Sequence, residues 1–292
     1  MVESLIAGAD FSGSRETPNQ TWLAVGKLDS MGVEIVELRQ TGSHRLAAEL
    51  AAIGGLKAVG LDFPFSLPAE FLRFCAEKQG LAPFQSWQEL VEHLVFVAFD
   101  EFLALVKEFG KEAKRLTDLE FRAIAKSPLH RGHPFMVQMT YHGMRLLAGL
   151  DPDRFSVLPF QDIRPGACAI LEVFPRATLV ALRLPDSGYK SPEKKDRERV
   201  EALRKQILEG LVQLREKGGS VYRDYPRLTI NKSLQHQALV SADALDAVVA
   251  CYTIAVWSVL PGAFPDPFSL DNEDVLLEGW AFAPAVAAQA KP

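Results

Sequence analysis

Two short apolar segments of the chain end in the same pattern, Gly-x-Asp-Phe. The first runs from Gly8 to Phe11 and the second from Gly60 to Phe63. Side chains alternate along a strand, so each glycine leaves open space on the face that carries the aspartate two residues later. If the two segments are neighbouring strands in register, Asp10 and Asp62 lie side by side, about 5 Å apart at the backbone.

Two adjacent carboxylates in an apolar sheet repel each other and lose hydration, so one takes up a proton unless a cation lies between them. Carboxylate oxygens favour a hard divalent cation such as Mg²⁺ or Mn²⁺. Asp10 and Asp62 are therefore candidate metal ligands. The alternative is that each aspartate only caps a strand end or the following turn.

A third acid, Glu172, interrupts another apolar segment over residues 169–174. Charged residues in the middle of a strand are rarely buried without a partner. Glu172 is therefore a candidate for the same site. The alternative is a structural ion pair with Arg176.

Two more acids, Asp243 and Asp246, open an apolar segment that predicts a helix over 242–260. Their spacing of three residues places them on one helix face. Asp243 also fits the ordinary preference for acids in a first helical turn. Asp246 is the better ligand candidate, because Ala247 and Ala250 allow the helix to approach a sheet closely. The acids together predict a hydrolytic site in which one metal activates water and another stabilises the leaving oxygen.

The elements that must position these acids predict an α/β fold. Three strands in a meander are followed by a helix and a fourth strand whose order favours parallel pairing with the first. A helical insertion over about 67–165 precedes the fifth strand, and the whole chain, 1–292, is predicted to form one domain. The predicted strands span 5–10, 21–27, 33–38, 57–62 and 169–174.

Composition narrows the function classes. The formal net charge is −5, with 32 Lys and Arg against 37 Asp and Glu. This balance argues against tight, sequence-independent duplex binding but leaves a local basic patch open.

The three cysteines form no CxxC pair, so neither a disulfide framework nor a zinc ribbon is expected. The first residues lack a signal-peptide pattern, and we expect a cytoplasmic protein with no membrane segment.

The element order and the acids resemble the ribonuclease H-like fold, and the start of the last apolar helix looks like the final motif of the Holliday-junction resolvases in that superfamily. The chain resembles more closely a family of uncharacterised proteins described as predicted ribonuclease H-like nucleases. The matching segments run nearly the whole length: 8–14, 60–68, 172–177, 189–190, 243–247 and 278–280.

This resemblance implies a mixed five-stranded sheet flanked by helices and a metal-dependent nuclease or phosphodiesterase using Mg²⁺ or Mn²⁺. Asp10, Asp62 and Asp246 would be the metal carboxylates, with Glu172 and Asp243 as supporting or alternative ligands. The sequence departs from ribonuclease H itself, where the fourth-strand acid is usually glutamate. The shorter Asp62 would need a closer metal or a bridging water.

A phosphate-bearing substrate, either nucleic acid or a small phosphodiester, needs cations and donors near the acids. Lys190 precedes a charged helix predicted over 194–214, whose N-terminus could offer backbone N–H groups to an anion. His130 and Arg131 form a loop pair that could grip phosphate. Ser12 lies in the turn after the first strand. The alternatives are a solvated charged helix and an ordinary polar loop.

Two other function classes stay open. An actin-like phosphotransferase or ATPase also begins with Gly-x-Asp and a phosphate-cradling glycine turn, although no second such turn occurs downstream. A ribonuclease H-like scaffold that binds a partner without cleaving it is the non-enzymatic alternative. Metal-dependent cleavage, ATP turnover, or metal binding without turnover would distinguish the three classes.

Overall fold

The computed structural model describes residues 3–12, 21–121, 124–132, 135–190 and 196–286. Within these ranges the chain forms one mixed, mostly parallel sheet of eight strands flanked by helices. The strands are β1 (Ser4–Asp10), β2 (Thr21–Leu28), β3 (Gly32–Thr41), β4 (Leu56–Asp62), β5 (Phe155–Val157), β6 (Cys168–Val173), β7 (Arg227–Ile230) and β8 (Ala281–Phe282).

Helices cover both faces of this sheet. Their bounds are α1 (Leu46–Ala52), α2 (Ala69–Gln79), α3 (Trp87–Phe96), α4 (Phe99–Phe109), α5 (Leu116–Glu120), α6 (Met136–Ala148), α7 (Pro175–Ala181), α8 (Arg197–Val212), α9 (Leu214–Lys217), α10 (Lys232–Val240), α11 (Ala242–Val259) and α12 (Val275–Glu278). The predicted start of the charged helix at residue 194 lies outside the described residues, and α8 is described from Arg197.

The strand order is β5-β6-β4-β1-β2-β3-β7, and β8 pairs with β6. The pairs β1–β2 and β2–β3 are antiparallel, whereas β1–β4 and β4–β6 are parallel. The predicted meander and the parallel pairing of the first and fourth strands are therefore confirmed. The described residues contain eight strands, so the predicted count of five is wrong. The strands that the prediction missed, β5, β7 and β8, contain only three, four and two residues. Such short segments carry too little periodicity to be recognised.

The core divides between the two faces of the sheet. On one face, α11 packs with α7, α8 and α10, and on the other face α1 packs beside helices of the segment between β4 and β6. That segment contains α2 to α6 and β5, and it covers the predicted insertion over 67–165. All three cysteines are buried free thiols.

The central helix of the first face is α11, which is apolar on almost every side. Among the described residues it alone has the length and composition of a membrane span, and 72% of that stretch is buried inside the protein. A helix that is apolar all round and enclosed in this way is typical of a protein core. Its position decides where the acids at its N-terminus lie.

Candidate functional site

The parallel register of β1 and β4 places Asp10 beside Asp62. Gly8 pairs with Gly60, and Asp10 pairs with Asp62, at the carboxyl ends of both strands. The predicted juxtaposition of these two aspartates is confirmed. Both side chains are half-buried, so neither carboxylate has the full hydration that would separate two like charges in water.

The helix α11 brings further acids to the same edge because Gly8 permits a very close approach. A Cβ atom on Gly8 would lie 2.0 Å from the backbone nitrogen of Cys251 and 2.7 Å from the backbone oxygen of Ala247. The glycine and the small residues of α11 therefore let the helix backbone rest directly on β1. Ser241 fixes the start of the helix by accepting a hydrogen bond from the backbone N–H of Ala244 at 3.2 Å.

Asp246 is the most enclosed acid of this group, with 0% of its surface exposed. The Tyr189 hydroxyl donates a hydrogen bond to Asp246 Oδ1 at 2.8 Å, and the Lys190 ammonium forms an ion pair with Oδ2. Oδ2 is buried, and among the described residues this ion pair is its polar contact. Arg204 anchors the loop by donating from Nε to the Tyr189 carbonyl at 2.8 Å.

We call Asp10, Asp62, Asp243 and Asp246 the β1 carboxylate cluster. Burial raises the pKa of Asp10 well above its usual range, and Asp246 and Asp62 add to the rise. Burial raises the pKa of Asp62 to about 7, and burial likewise raises the pKa of Asp243. Lys190 opposes each of these rises.

The pKa of Lys190 responds to the same cluster. Burial disfavours its charged form, but Asp246 and Asp10 outweigh burial and raise the pKa of the ammonium. Lys190 is therefore a permanent cation, yet the pKa values of its acidic neighbours stay high. One ammonium does not compensate the charge that four ionised carboxylates would bring together.

A divalent metal fits the donor chemistry of the cluster. The available donors are carboxylate oxygens, which hard cations prefer, and neighbouring acids add to the burial that raises the pKa values of Asp10 and Asp62. In the side-chain positions of the described residues, no group of three or more His, Cys, Asp or Glu converges closely enough to hold a metal ion. In this arrangement the Lys190 ammonium is paired with Asp246.

Glu172 lies in a different environment from the one predicted. Arg115 donates to both carboxylate oxygens, at 2.6 and 2.8 Å, and the backbone N–H of Phe65 donates to Oε2 at 2.8 Å. The alternative partner Arg176 is wrong, since it pairs with Asp186 at 3.0 Å. The catalytic role of Glu172 stays a prediction, but its oxygens are already bound.

Glu172 belongs to a second group of acids that we call the Arg115 cluster: Arg115, Asp118, Glu172 and Glu278. Arg115 is 1% exposed, and it also donates to both oxygens of Asp118, at 3.0 and 3.2 Å. Glu278 accepts from the backbone N–H groups of Ala69 and Leu116, at 2.6 and 2.7 Å. The cluster therefore links four parts of the chain, which are β6, α5, α12 and the segment that follows β4.

The remaining predicted substrate-binding residues are Ser12, His130 and Arg131, and the structure shows the polar partners of each. Ser12 shares a hydroxyl network with Thr21 and Ser43, with oxygens 3.3 and 3.2 Å from its own. His130 contacts Glu112 at 2.9 Å and the Lys126 ammonium at 3.1 Å. The backbone N–H of Arg131 donates to the Glu112 carboxylate at 3.4 Å. Their predicted contacts to substrate stay predictions.

A groove of about 850 Å³, counting space open to solvent, begins at the β1 carboxylate cluster. Asp62, Asp246 and Lys190 line it, together with Phe174 and Met136. We call it the carboxylate groove. Sequence patterns did not indicate it, because its walls come from the loops after β6 and before α6 and α8.

Fold and site together define an α/β protein with half-buried aspartates at the carboxyl ends of adjacent parallel strands, beside a ligand-sized groove. The chain belongs to the family described as protein of unknown function DUF429, whose model matches residues 18–266. The match spans Asp62, Lys190 and Asp246 and begins after Asp10. No curated protein and no solved structure matches the chain.

Proposed function

We propose that this protein is a divalent-metal-dependent phosphodiester hydrolase, a nuclease in the broad sense. The observation that carries the proposal is the register of Asp10 with Asp62 on adjacent parallel strands, with Asp246 brought to them by α11. Three separate chain segments, β1, β4 and the start of α11, supply acids whose charges add to the effect of burial on one another's pKa values. Clusters of this kind are more typical of functional sites than of structural ones.

The topology supports a ribonuclease H-like fold within this proposal. The order β3-β2-β1-β4-β6 combines an antiparallel meander with parallel strands added beside β1. The late helix α11 lies against the first strand and carries acids at its N-terminus. This arrangement resembles the one expected from the sequence, in which the final acid-bearing helix completes the metal site.

Asp10, Asp62 and Asp246 would hold the metal, with Asp243 beside them. A bound Mg²⁺ or Mn²⁺ supplies a Lewis acid for the phosphoryl oxygens and the counter-charge that the cluster lacks. Tyr189 keeps the Asp246 carboxylate oriented through its hydrogen bond. Lys190, whose side chain is 54% exposed, can turn from Asp246 towards a phosphate oxygen, where an ammonium stabilises negative charge.

The test compares Asp10→Asn and Asp246→Asn with the wild type. Mn²⁺ binding is measured by calorimetry, and hydrolysis is measured on single-stranded and duplex nucleic acid and on an aryl phosphodiester. The proposal expects Mn²⁺ binding and metal-dependent hydrolysis, both abolished by either substitution. Asp29→Asn is the matched control, because Asp29 accepts two backbone hydrogen bonds in an exposed turn and asparagine can accept them as well. Equal activity of all variants would contradict the proposal.

One observation favours a second candidate, a binding scaffold without hydrolytic activity. The Lys190 ammonium already forms an ion pair with Asp246, at the position where a metal would neutralise that acid. Under this alternative the wild type shows no Mn²⁺ binding, and Lys190→Met destabilises the protein by removing the cluster's cation. Under the hydrolase proposal, Lys190→Met still binds Mn²⁺ and loses turnover.

A further inference from the structure

The carboxylate groove continues well beyond the acids. Asp62, Asp246 and Lys190 line it, and its water-accessible volume of about 340 Å³ lies within the range of roughly 300–1,000 Å³ found for small-ligand sites. A ligand that fills the groove therefore contacts the acids at one end and a different kind of surface at the other.

That other surface is mostly apolar. Ile124, Met136, Phe174 and Pro175 line it, and the Phe174 side chain is only half-buried. Phe121 braces the Phe174 ring through an edge contact, with ring centroids 5.5 Å apart and planes at 73°. A phosphodiester group by itself has no apolar surface that would pack against these residues, whereas a planar aromatic ring does.

Positive charge lies at two points along the groove. They are Lys190, which is paired with Asp246, and the exposed Lys126, whose ammonium contacts His130 at 3.1 Å. Arg176 also lines the groove, and its guanidinium is paired with Asp186. Two ammonium groups near an apolar wall suit a ligand that joins a flat, neutral ring to phosphate, as in sites that stack unpaired bases.

We infer that the carboxylate groove binds a nucleoside phosphate whose base is unpaired, with the base against Phe174 and Met136 and the phosphate at the β1 carboxylate cluster. The inference rests on the proposed function for the phosphate end alone. A base within a duplex is stacked and paired, and it reaches such a groove only by flipping out. The net charge of −5 also disfavours tight duplex binding.

The test measures binding, not turnover. The full chain in Ca²⁺ is titrated against a short fluorescein-labelled single-stranded oligonucleotide, the same strand with abasic sites, and the same sequence closed as a blunt hairpin. Fluorescence anisotropy is expected to show single-strand binding about tenfold tighter than abasic binding, because the abasic strand lacks a base to stack on Phe174. A competing free mononucleotide distinguishes a nucleotide site from a strand-end site.

Variants assign the effect to the groove. Phe174→Ala is expected to weaken single-strand binding about tenfold and to leave abasic binding unchanged, and Phe174→Trp is expected to retain single-strand binding. Phe174→Leu keeps an apolar side chain at this position, so it separates the loss of ring stacking from a general folding defect. Phe96→Ala is the matched control, because Phe96 is 88% exposed on α3 and does not line the groove.

The outcomes separate this inference from the proposed hydrolase. Equal binding of abasic and normal strands, tighter binding of the hairpin, or an unchanged Phe174→Ala would overturn the inference, even where Asp10-dependent hydrolysis is found. Base-dependent binding that Phe174→Ala removes supports the inference, even where Mn²⁺ binding and hydrolysis fail.

Discussion

The β1 carboxylate cluster and the Arg115 cluster contain similar acids but satisfy them in opposite ways. In the Arg115 cluster, one guanidinium donates to both oxygens of Glu172 and both oxygens of Asp118, and backbone N–H groups bind Glu172 and Glu278. In the β1 carboxylate cluster, the Lys190 ammonium pairs with Asp246 and opposes the rise in the pKa values of Asp10, Asp62 and Asp243, and Arg204 also acts on Asp243. Asp62 and Glu172 line one common pocket, so the two clusters are close neighbours.

The difference concerns partners and not residue type. A buried carboxylate that accepts several directed hydrogen bonds is held in place and serves the fold. Several neighbouring carboxylates beside a half-exposed lysine repel one another, and that repulsion favours binding of a further cation. We therefore assign structural work to the Arg115 cluster and ligand chemistry to the β1 carboxylate cluster.

The largest expected effect comes from removing the guanidinium. Arg115→Met leaves Glu172 and Asp118 buried without a cation, and we expect it to lower the free energy of unfolding by roughly 3–5 kcal/mol. Urea denaturation measures this loss. Arg73→Met is the control, because Arg73 is exposed and its pairing with Asp274 is long, 3.7 Å, so it should cost at most about 1 kcal/mol. Similar losses for both variants would remove the structural role of the Arg115 cluster.

The next effect tests how the β1 carboxylate cluster is assembled. Gly8→Ala places a methyl group against the backbone of α11, and overpacking of this kind costs roughly 1–3 kcal/mol. We also expect weaker Mn²⁺ binding, because α11 carries Asp246 away from Asp10. Gly54→Ala is the control, since a Cβ there meets no atom within 4 Å. Unchanged stability and unchanged Mn²⁺ affinity in Gly8→Ala would contradict the close approach.

A smaller effect depends on pH and tests the protonation of Asp62 in the β1 carboxylate cluster. Burial raises the pKa of Asp62 to about 7, above its unfolded value, so the folded protein favours the protonated acid. Its contribution to stability is complete below about pH 4 and is lost as pH rises through 7. Asp62→Asn should therefore stabilise the metal-free protein at pH 8 by about 1 kcal/mol or more, the equivalent of at least one pKa unit, and have little effect at pH 4. Thermal unfolding at both pH values measures it, and destabilisation at pH 8 would contradict the account.

The smallest effect concerns Lys190. If its ammonium competes with a metal for Asp246, Lys190→Met should raise Mn²⁺ affinity. An ion pair with a half-exposed partner contributes up to about 1 kcal/mol, which corresponds to about fivefold in the dissociation constant. Calorimetry measures the change, with Lys27→Met as control because Lys27 pairs with Glu3 on the surface. Lower Mn²⁺ affinity in Lys190→Met would show that Lys190 supports the site instead of competing for it.

The sequence predicted the β1 carboxylate cluster better than the Arg115 cluster for a physical reason. Gly8 and Asp10, like Gly60 and Asp62, are local patterns whose alternation fixes the face on which each acid lies. The Arg115 cluster depends on a contact between Arg115 and residue Glu278, 163 positions apart, and no local periodicity encodes such a pair.

Lys190 shows the same limit within the functional site. A lysine at this position predicted a contact with phosphate. Its contact with Asp246 depends on the folded loop at Tyr189, whose carbonyl accepts a hydrogen bond from Arg204. The short strands β5, β7 and β8 were also missed because the sheet around them, and not their own sequence, determines their pairing.

The most direct test of the account is diffraction from crystals soaked in Mn²⁺, with data collected at the manganese absorption edge. The account predicts an anomalous peak in contact with the carboxylates of Asp10 and Asp62, and a Lys190 ammonium displaced from Asp246. A map with no peak at this edge of the sheet, and with Lys190 still paired to Asp246 at saturating Mn²⁺, would contradict it.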